Sequence, residues 1–234
     1  MSFRVLAIIA ARSGSRGLRH KNIQTVGGAT LLERAIHLAQ AAALKKENWH
    51  IRVSTDSPRY AKIAESAGAH ALPLRPKPLA GDAERLIDTV LYEIERYESN
   101  HEPPDAVVLL SATTPLTTHA DVRRGMRLFH DHQGASVVSV CAASRPENWF
   151  FEMQRGKLTA PKGSAPIDRR QTAGSRYHLN GAVYIATPEW LKSHRLFFVS
   201  GKSVALTMPR ERSVDIETAL DLKWAEFLLA RKHR

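Results

Sequence analysis

A chain of 234 residues, 43% of them hydrophobic, can bury a sizeable core and fits one larger α/β domain better than two small ones. A formal charge of +11 and a pI near 10.1 predict polyanionic company such as nucleotides, nucleic acid or anionic sugars; a basic surface tuned for solubility is the plain alternative. One cysteine, Cys141, excludes an internal disulfide, and without a CxxC or Cys/His cluster there is no zinc-thiolate site, which predicts a reducing compartment.

The chain opens with an apolar stretch from Val5 to Ala11, too short for a transmembrane helix or a signal sequence, so the expected location is cytoplasmic with no membrane partner. Runs of strand length follow one another at 3–10, 51–55, 106–112, 135–142 and 181–186, apolar almost throughout, as in a sheet covered on both faces. Helix-period segments between them give the βαβ pattern of an α/β fold. Thr30 with Glu33 and Thr118 with Asp121 have capping-box spacing, and Ser57-Pro58 and Thr187-Pro188 place a capping hydroxyl before a first-turn proline. Residues 73–82, "PLRPKPLAGD", read as an irregular loop, and residues 144–180 as a long functional excursion between two core strands. Cys141, in an apolar strand, reads as a small buried hydrophobe, and the tail "ARKHR" as a solvated helix end.

Directly after the first strand comes "RSGSRGLRHKN", residues 12–22. Ligands bind beyond the carboxyl ends of strands in open α/β sheets. Gly14 and Gly17 let backbone N–H groups approach a bulky anion, and the arginines and Lys21 neutralise it, so the loop reads as a triphosphate cradle or, more plainly, as a solvated basic turn. Neither GxGxxG nor GxxxxGK followed by Ser or Thr is present, which excludes the dinucleotide and ATPase-loop readings.

"IIAARSGSRGLRHKN" (8–22) resembles the signature of CMP-sialic acid synthetases and related CMP-nonulosonate and CMP-Kdo-type cytidylyltransferases. The likeness continues in order through "STDSPRYAKIAESAGA", "LRPKPLAGD", "LLSATTPL", "RRQ", "YHLNGAVYI" and "SVDIETALDLKWAE". It implies a single Rossmann-like nucleotidyltransferase domain over residues 1–234, with a mostly parallel mixed sheet flanked by helices and an inserted dimerisation subdomain near 144–180. The implied reaction joins the anomeric hydroxyl of a 2-keto-3-deoxy sugar acid to the α-phosphorus of CTP and expels pyrophosphate. A CMP-Kdo-type or 8-amino-Kdo-type acceptor is the alternative within the family.

The register assigns Ala11, Arg12, Ser15, Lys21, Asn22 and Arg75 to the nucleotide, Arg75 at the cytosine edge, with Arg12 and Lys21 on the triphosphate and Lys21 stabilising the transition state. Ser111, Arg170, Gln171, Asn180, Phe197 and Phe198 fall on the acceptor side. Ser111 stands where the family has a glutamine and Thr117 where it has an arginine, which points to an unusual acceptor. Asp215 and Glu217, two apart in an extended stretch, project from one face and suit Mg2+; capping of the last helix is the alternative, and Glu217 departs from the family's second aspartate. Trp149, Phe150 and Phe151 serve either a homodimer interface or the chain's own core, and Phe197 and Phe198 either an acyl pocket or core packing.

Two readings from outside catalysis remain. A nucleic-acid-binding protein would interleave its basic residues with exposed aromatics along one element, whereas here they concentrate in one loop, so no nucleic-acid partner is expected. A non-catalytic relative is the other, on the strength of the altered "LSATTPLT".

Overall fold

The structure, a computed structural model, describes residues 2–14, 17–81, 84–145, 149–160 and 176–231. Six strands form the main sheet: β1 (Phe3–Ala10), β4 (Glu47–Ser54), β5 (Ala106–Leu110), β6 (Val137–Ala142), β9 (Tyr177–Ala186) and β10 (Val204–Met208), in the order β10-β6-β9-β5-β1-β4. β1 runs parallel to β4 and β5, and β6 parallel to β10; β9 lies antiparallel between β5 and β6. Two short hairpins stand apart, β2 (Thr25–Val26) with β3 (Ala29–Thr30), and β7 (Glu152–Gln154) with β8 (Lys157–Thr159).

Helices α1 (Leu31–Ala42), α2 (Pro58–Ser66), α4 (His119–Asp131) and α6 (Ala219–Arg231) contribute to one core, and α3 (Leu86–Glu98) and α5 (Pro188–His194) to the other. Within β1 the alternation is visible residue by residue. Val5, Ala7 and Ile9 enter the first core, Leu6 and Ile8 the second, and all five are fully buried.

Local chemistry starts the helices as the sequence predicts. Thr30 accepts from the Glu33 amide while Glu33 bonds back to Thr30, and Thr118 and Asp121 do the same. Ser57 and Thr187 cap α2 and α5 ahead of their prolines. Residues 73–82 are irregular over their described part, with one 3-10 turn at Lys77–Ala80. Cys141 is buried and unpaired in β6.

The strand limits differ from the sequence reading where a strand is wet on one side. β4 starts at Glu47 rather than Ile51, because its first four residues lie on a partly exposed sheet edge and carry no apolar run. β10, at the opposite edge, was absent from the sequence reading, since only Leu206 and Met208 of its five residues are buried. β9 begins at Tyr177, four residues earlier than expected, and passes Gly181, whose φ of +71° is a conformation glycine adopts without strain. The excursion holds the β7–β8 hairpin; residues 161–175 lie outside the described part.

The sheet and α3 are joined by a buried charge. Glu93 is fully buried and accepts from Arg52 of β4 and Arg96 of α3, each at 3.1 Å. Removing one member of such a cluster strands the others. Glu93→Ala is expected to cost about 3 kcal/mol in urea unfolding; a loss under about 1 kcal/mol would mean that the arginines reach water without strain.

Candidate functional site

The carboxyl ends of the parallel strands converge on one polar cleft. The loop after β1 carries Arg12 to Gly14 and Gly17 to His20, the loop after β5 carries Ser111 and Thr113, and the segment 213–218 crosses from β10 to α6. A cavity of about 330 Å³ is lined by Ala10, Arg12, Gly14, Gly17, Lys21, Asn22, Ser111, Thr113 and Glu217. Residues from three separate regions of the sequence thus share one space.

Several contacts hold the basic loop in place. The Ala11 amide donates to the Ser54 carbonyl at 2.9 Å, and the buried Asn22 amide donates to the Arg12 carbonyl at 3.0 Å. Asp56 accepts from both the amide and the hydroxyl of Ser13 at 2.7 Å. Burial by itself would raise the Asp56 carboxyl pKa; the bonds from Ser13 outweigh that and leave it below the ordinary value. Sequence reasoning missed Asp56 as a site residue, although the "STDSP" that contains it was legible as a block.

Gly17 is needed for a reason other than anion approach. A Cβ there would meet the Glu217 carbonyl oxygen at 2.5 Å, so glycine is what lets the basic loop lie against the acidic segment. Gly14 faces open space by the same test and shows no comparable demand.

That approach brings Lys21 Nζ to 2.8 Å from Glu217 Oε1, and the lysine side chain is 15% exposed against 64% for the glutamate. Two residues earlier, Asp215 Oδ1 accepts from the Thr113 hydroxyl at 2.5 Å. Water reaches the Asp215 surface, yet the protein crowded round its carboxyl raises its pKa, with the Glu217 and Asp221 charges adding to the rise and Thr113 and Lys21 opposing it. Neither carboxylate caps the last helix. That work falls to Thr218 and Asp221, whose carboxylate accepts from the Glu217 and Thr218 amides at 3.1 and 2.7 Å. No cluster of three or more His, Cys, Asp or Glu suited to a metal occurs among the described residues.

Arg75 is buried, donating to the Ser54 hydroxyl and carbonyl at 3.1 and 2.5 Å and to the Leu79 carbonyl at 3.4 Å. Burial pushes its pKa down, Asp56 and Glu93 oppose that, and Arg12 adds to it. Arg12 donates to the Gly81 carbonyl at 3.1 Å, tying the first loop to the proline-rich one.

On the acceptor side the expectations divide. Ser15, Arg170 and Gln171 lie outside the described residues. Ser111 lines the cavity, its hydroxyl 2.9 Å from that of Thr113. Asn180 was expected on the acceptor side. It is buried inside β9 instead, its oxygen accepting from Ser139 at 2.5 Å and its nitrogen donating to Ser213 at 2.8 Å, so it braces β6 and the acidic segment. Phe197 is buried in the α3-side core against Tyr184, with ring centroids 5.3 Å apart, whereas Phe198 is about half exposed. The expected aromatic pair is therefore split between core and surface. Trp149, Phe150 and Phe151 are 38, 60 and 51% exposed and outside this chain's own core.

Comparison with known proteins gives a consistent picture. A family model described as cytidylyltransferase matches residues 6–163. A CMP-N,N'-diacetyllegionaminic acid synthase of Legionella pneumophila is 31% identical over 227 residues, covering 97% of this chain and 96% of that protein. An N-acylneuraminate cytidylyltransferase of Escherichia coli is 30% identical over 247 residues, covering 100% of this chain and 54% of that protein. Among solved structures, CMP:2-keto-3-deoxy-manno-octonic acid synthetase complexed with CTP shares the fold, with a TM-score of 0.71 at 16% identity over 98% of this chain and 99% of that one.

The raised Asp215 pKa has a consequence for stability. A carboxyl whose folded pKa exceeds its unfolded one favours the fold below the unfolded pKa and loses that contribution as pH rises through the folded pKa. Asp215→Asn keeps the Thr113 bond without the charge, so it is expected to melt above wild type at pH 7, with the gap closing as pH falls towards 4. Equal or lower melting at pH 7 would show that the carboxylate is not strained in the ligand-free chain.

Proposed function

The chain belongs to the cytidylyltransferase family, and we propose that it transfers CMP from CTP to the anomeric hydroxyl of a nine-carbon 2-keto-3-deoxy sugar acid of the nonulosonate class. The enzyme is a nucleotidyltransferase that releases pyrophosphate. One observation carries the assignment of chemistry to residues: Arg12, Lys21 and Asn22 share a cavity with Glu217 at the carboxyl ends of the parallel strands. Acceptor class rests on the CMP-legionaminic and N-acylneuraminate relatives at about 30% identity.

In this reading the sugar hydroxyl attacks the α-phosphorus as the bond to the β-phosphate oxygen breaks. Such a transfer needs alignment and neutralisation of phosphate charge more than covalent help. Lys21, held close to the protein by its neighbours, offers its ammonium to the transferring group, and Arg12 meets the rest of the triphosphate. Arg75 is buried, bonded to Ser54 and the Leu79 carbonyl and outside the cavity lining, so its place at the cytosine edge rests on the family resemblance alone.

Asp215 and Glu217 form an all-oxygen donor pair that suits Mg2+, and both departures from a simple helix cap favour that role. When bound, Mg2+ would neutralise phosphate charge beside Lys21. The ligand-free Lys21–Glu217 pair then has to open. A partly exposed pair is worth less than about 1 kcal/mol, so a triphosphate competes for Lys21 without difficulty.

Homodimerisation is part of the proposal, since Phe150, Phe151, Met153 and Leu158 are all exposed within a short stretch of the excursion and would be covered by a second copy. A reducing cytoplasm suits the buried, unpaired Cys141.

Incubation with CTP, Mg2+ and a panel of 2-keto-3-deoxy sugar acids, read as pyrophosphate release, tests the reaction; no release with any member of the panel rejects it. Lys21→Ala is expected to lower turnover about 100-fold, ~3 kcal/mol, in a folded protein. Near-normal turnover would take Lys21 out of the mechanism.

The ion pair has its own test, calorimetry of CTP in EDTA. Glu217→Gln frees Lys21 and should tighten metal-free CTP several-fold, while Asp215→Asn, which removes a nearby charge that does not bond Lys21, should gain much less. Equal gains would mean general repulsion rather than a competing partner. Glu217→Asp shortens the side chain by a methylene and should shift the Mg2+ concentration for half-maximal pyrophosphate release; superimposed titrations would withdraw Glu217 from the metal pair.

A further inference from the structure

Asp215 does not stand alone in the cleft. Its Oδ1 accepts from the Thr113 hydroxyl at 2.5 Å, that hydroxyl lies 2.9 Å from the Ser111 hydroxyl, and the Thr113 amide donates to Ser111 Oγ at 3.2 Å. Each hydroxyl has one proton to give. Thr113 spends its proton on Asp215, so Ser111 must donate to Thr113 and accept from the Thr113 amide. The polarity of the whole chain follows: amide to Ser111, Ser111 to Thr113, Thr113 to the carboxylate.

The relay is fixed at both ends by backbone. The Ser111 amide donates to the Ala182 carbonyl of β9 at 3.3 Å, and the Thr114 hydroxyl donates to the Ser111 carbonyl at 3.2 Å. The Ile216 amide donates to the Thr113 carbonyl at 2.8 Å, which clamps the acidic segment to this turn next to Asp215 itself. Among the described residues, Asp215 Oδ2 accepts no hydrogen bond from the protein. One oxygen is tied and the other is left for a ligand.

We infer that Ser111 and Thr113 are positioning residues: their hydroxyl relay orients Asp215 and polarises its carboxylate for the divalent cation that accompanies the nucleotide. The inference rests on the proposed function above, and it gives Ser111 a different task from the acceptor contact expected of that position. Ser111 reaches the proposed cation ligand through Thr113. Outer partners that orient a ligating carboxylate typically contribute 10–100-fold to metal affinity.

Binding of Mn2+ to the full-length protein in the presence of CTP and without acceptor, followed by the loss of the free-ion EPR signal, reads the relay without turnover. Thr113→Val is isosteric but cannot donate, and it should weaken Mn2+ about tenfold. Ser111→Ala leaves Thr113 its last bond but removes the donor behind it, and a loss of about threefold is expected. Thr113→Ser restores the hydroxyl and should return to within about twofold of wild type. CTP binding in EDTA is measured alongside, and losses there as large as the losses of Mn2+ affinity would mark a general loosening of the cleft and overturn the relay. Wild-type Mn2+ affinity in Thr113→Val and Ser111→Ala, or equal losses in Thr113→Val and Thr113→Ser, overturns the relay. Absence of Mn2+ and CTP binding in wild type would instead overturn the functional reading and the relay with it.

Discussion

Two segments 196 residues apart in sequence meet where Lys21 bonds Glu217, and the rest of the cleft is arranged to permit that meeting. Gly17 supplies the clearance, since a side chain there would collide with the Glu217 backbone. Two cationic side chains, Arg12 and Lys21, and the Glu217 carboxylate line one cavity, so it is net basic with an acidic group at hand.

The approach is stabilised from behind by polar groups that do not face the cavity. Asp56 holds Ser13, Ser54 receives both Arg75 and the Ala11 amide, and Asn180 links Ser139 of β6 to Ser213 at the start of the acidic segment. Arg212 adds a two-point contact to the buried Asp121, each bond at 2.9 Å, and so anchors the same segment to α4. Buried polar groups cost free energy unless every partner is present. Their concentration beneath one cleft marks where the fold exchanges packing for position, while the two apolar cores on either side of the sheet supply the stability.

Elsewhere the chain keeps apolar surface in water. Met153 and Leu158 on the β7–β8 hairpin are 74 and 67% exposed, and Trp224 and Phe227 stack on the outer side of α6 with their rings half exposed. The first group belongs to the excursion, where a second copy is proposed to lie. The second has Arg231 over the Phe227 ring as its cover among the described residues.

Sequence alone determined the α/β class, the four capped helix starts, the buried strands and the basic loop after β1, because each depends on neighbours within a few positions: continuous apolar runs, a hydroxyl three residues before the amide it accepts from, glycine and arginine in one loop. The edge strand β10 escaped it, since a strand wet on one face lacks the apolar run that announces its buried neighbours. Tertiary structure decided which polar groups were already spoken for. Asn180 and Phe197 carry the residue types expected of an acceptor site, yet their partners, Ser139 and Ser213 for one and Tyr184 for the other, come from distant positions that only the closed sheet brings near. The same holds for Gly17 and Asp56. Whether a side chain is free to act depends on what folding places beside it, and hydrogen bonds and close contacts across tens of residues leave no periodic trace in the chain.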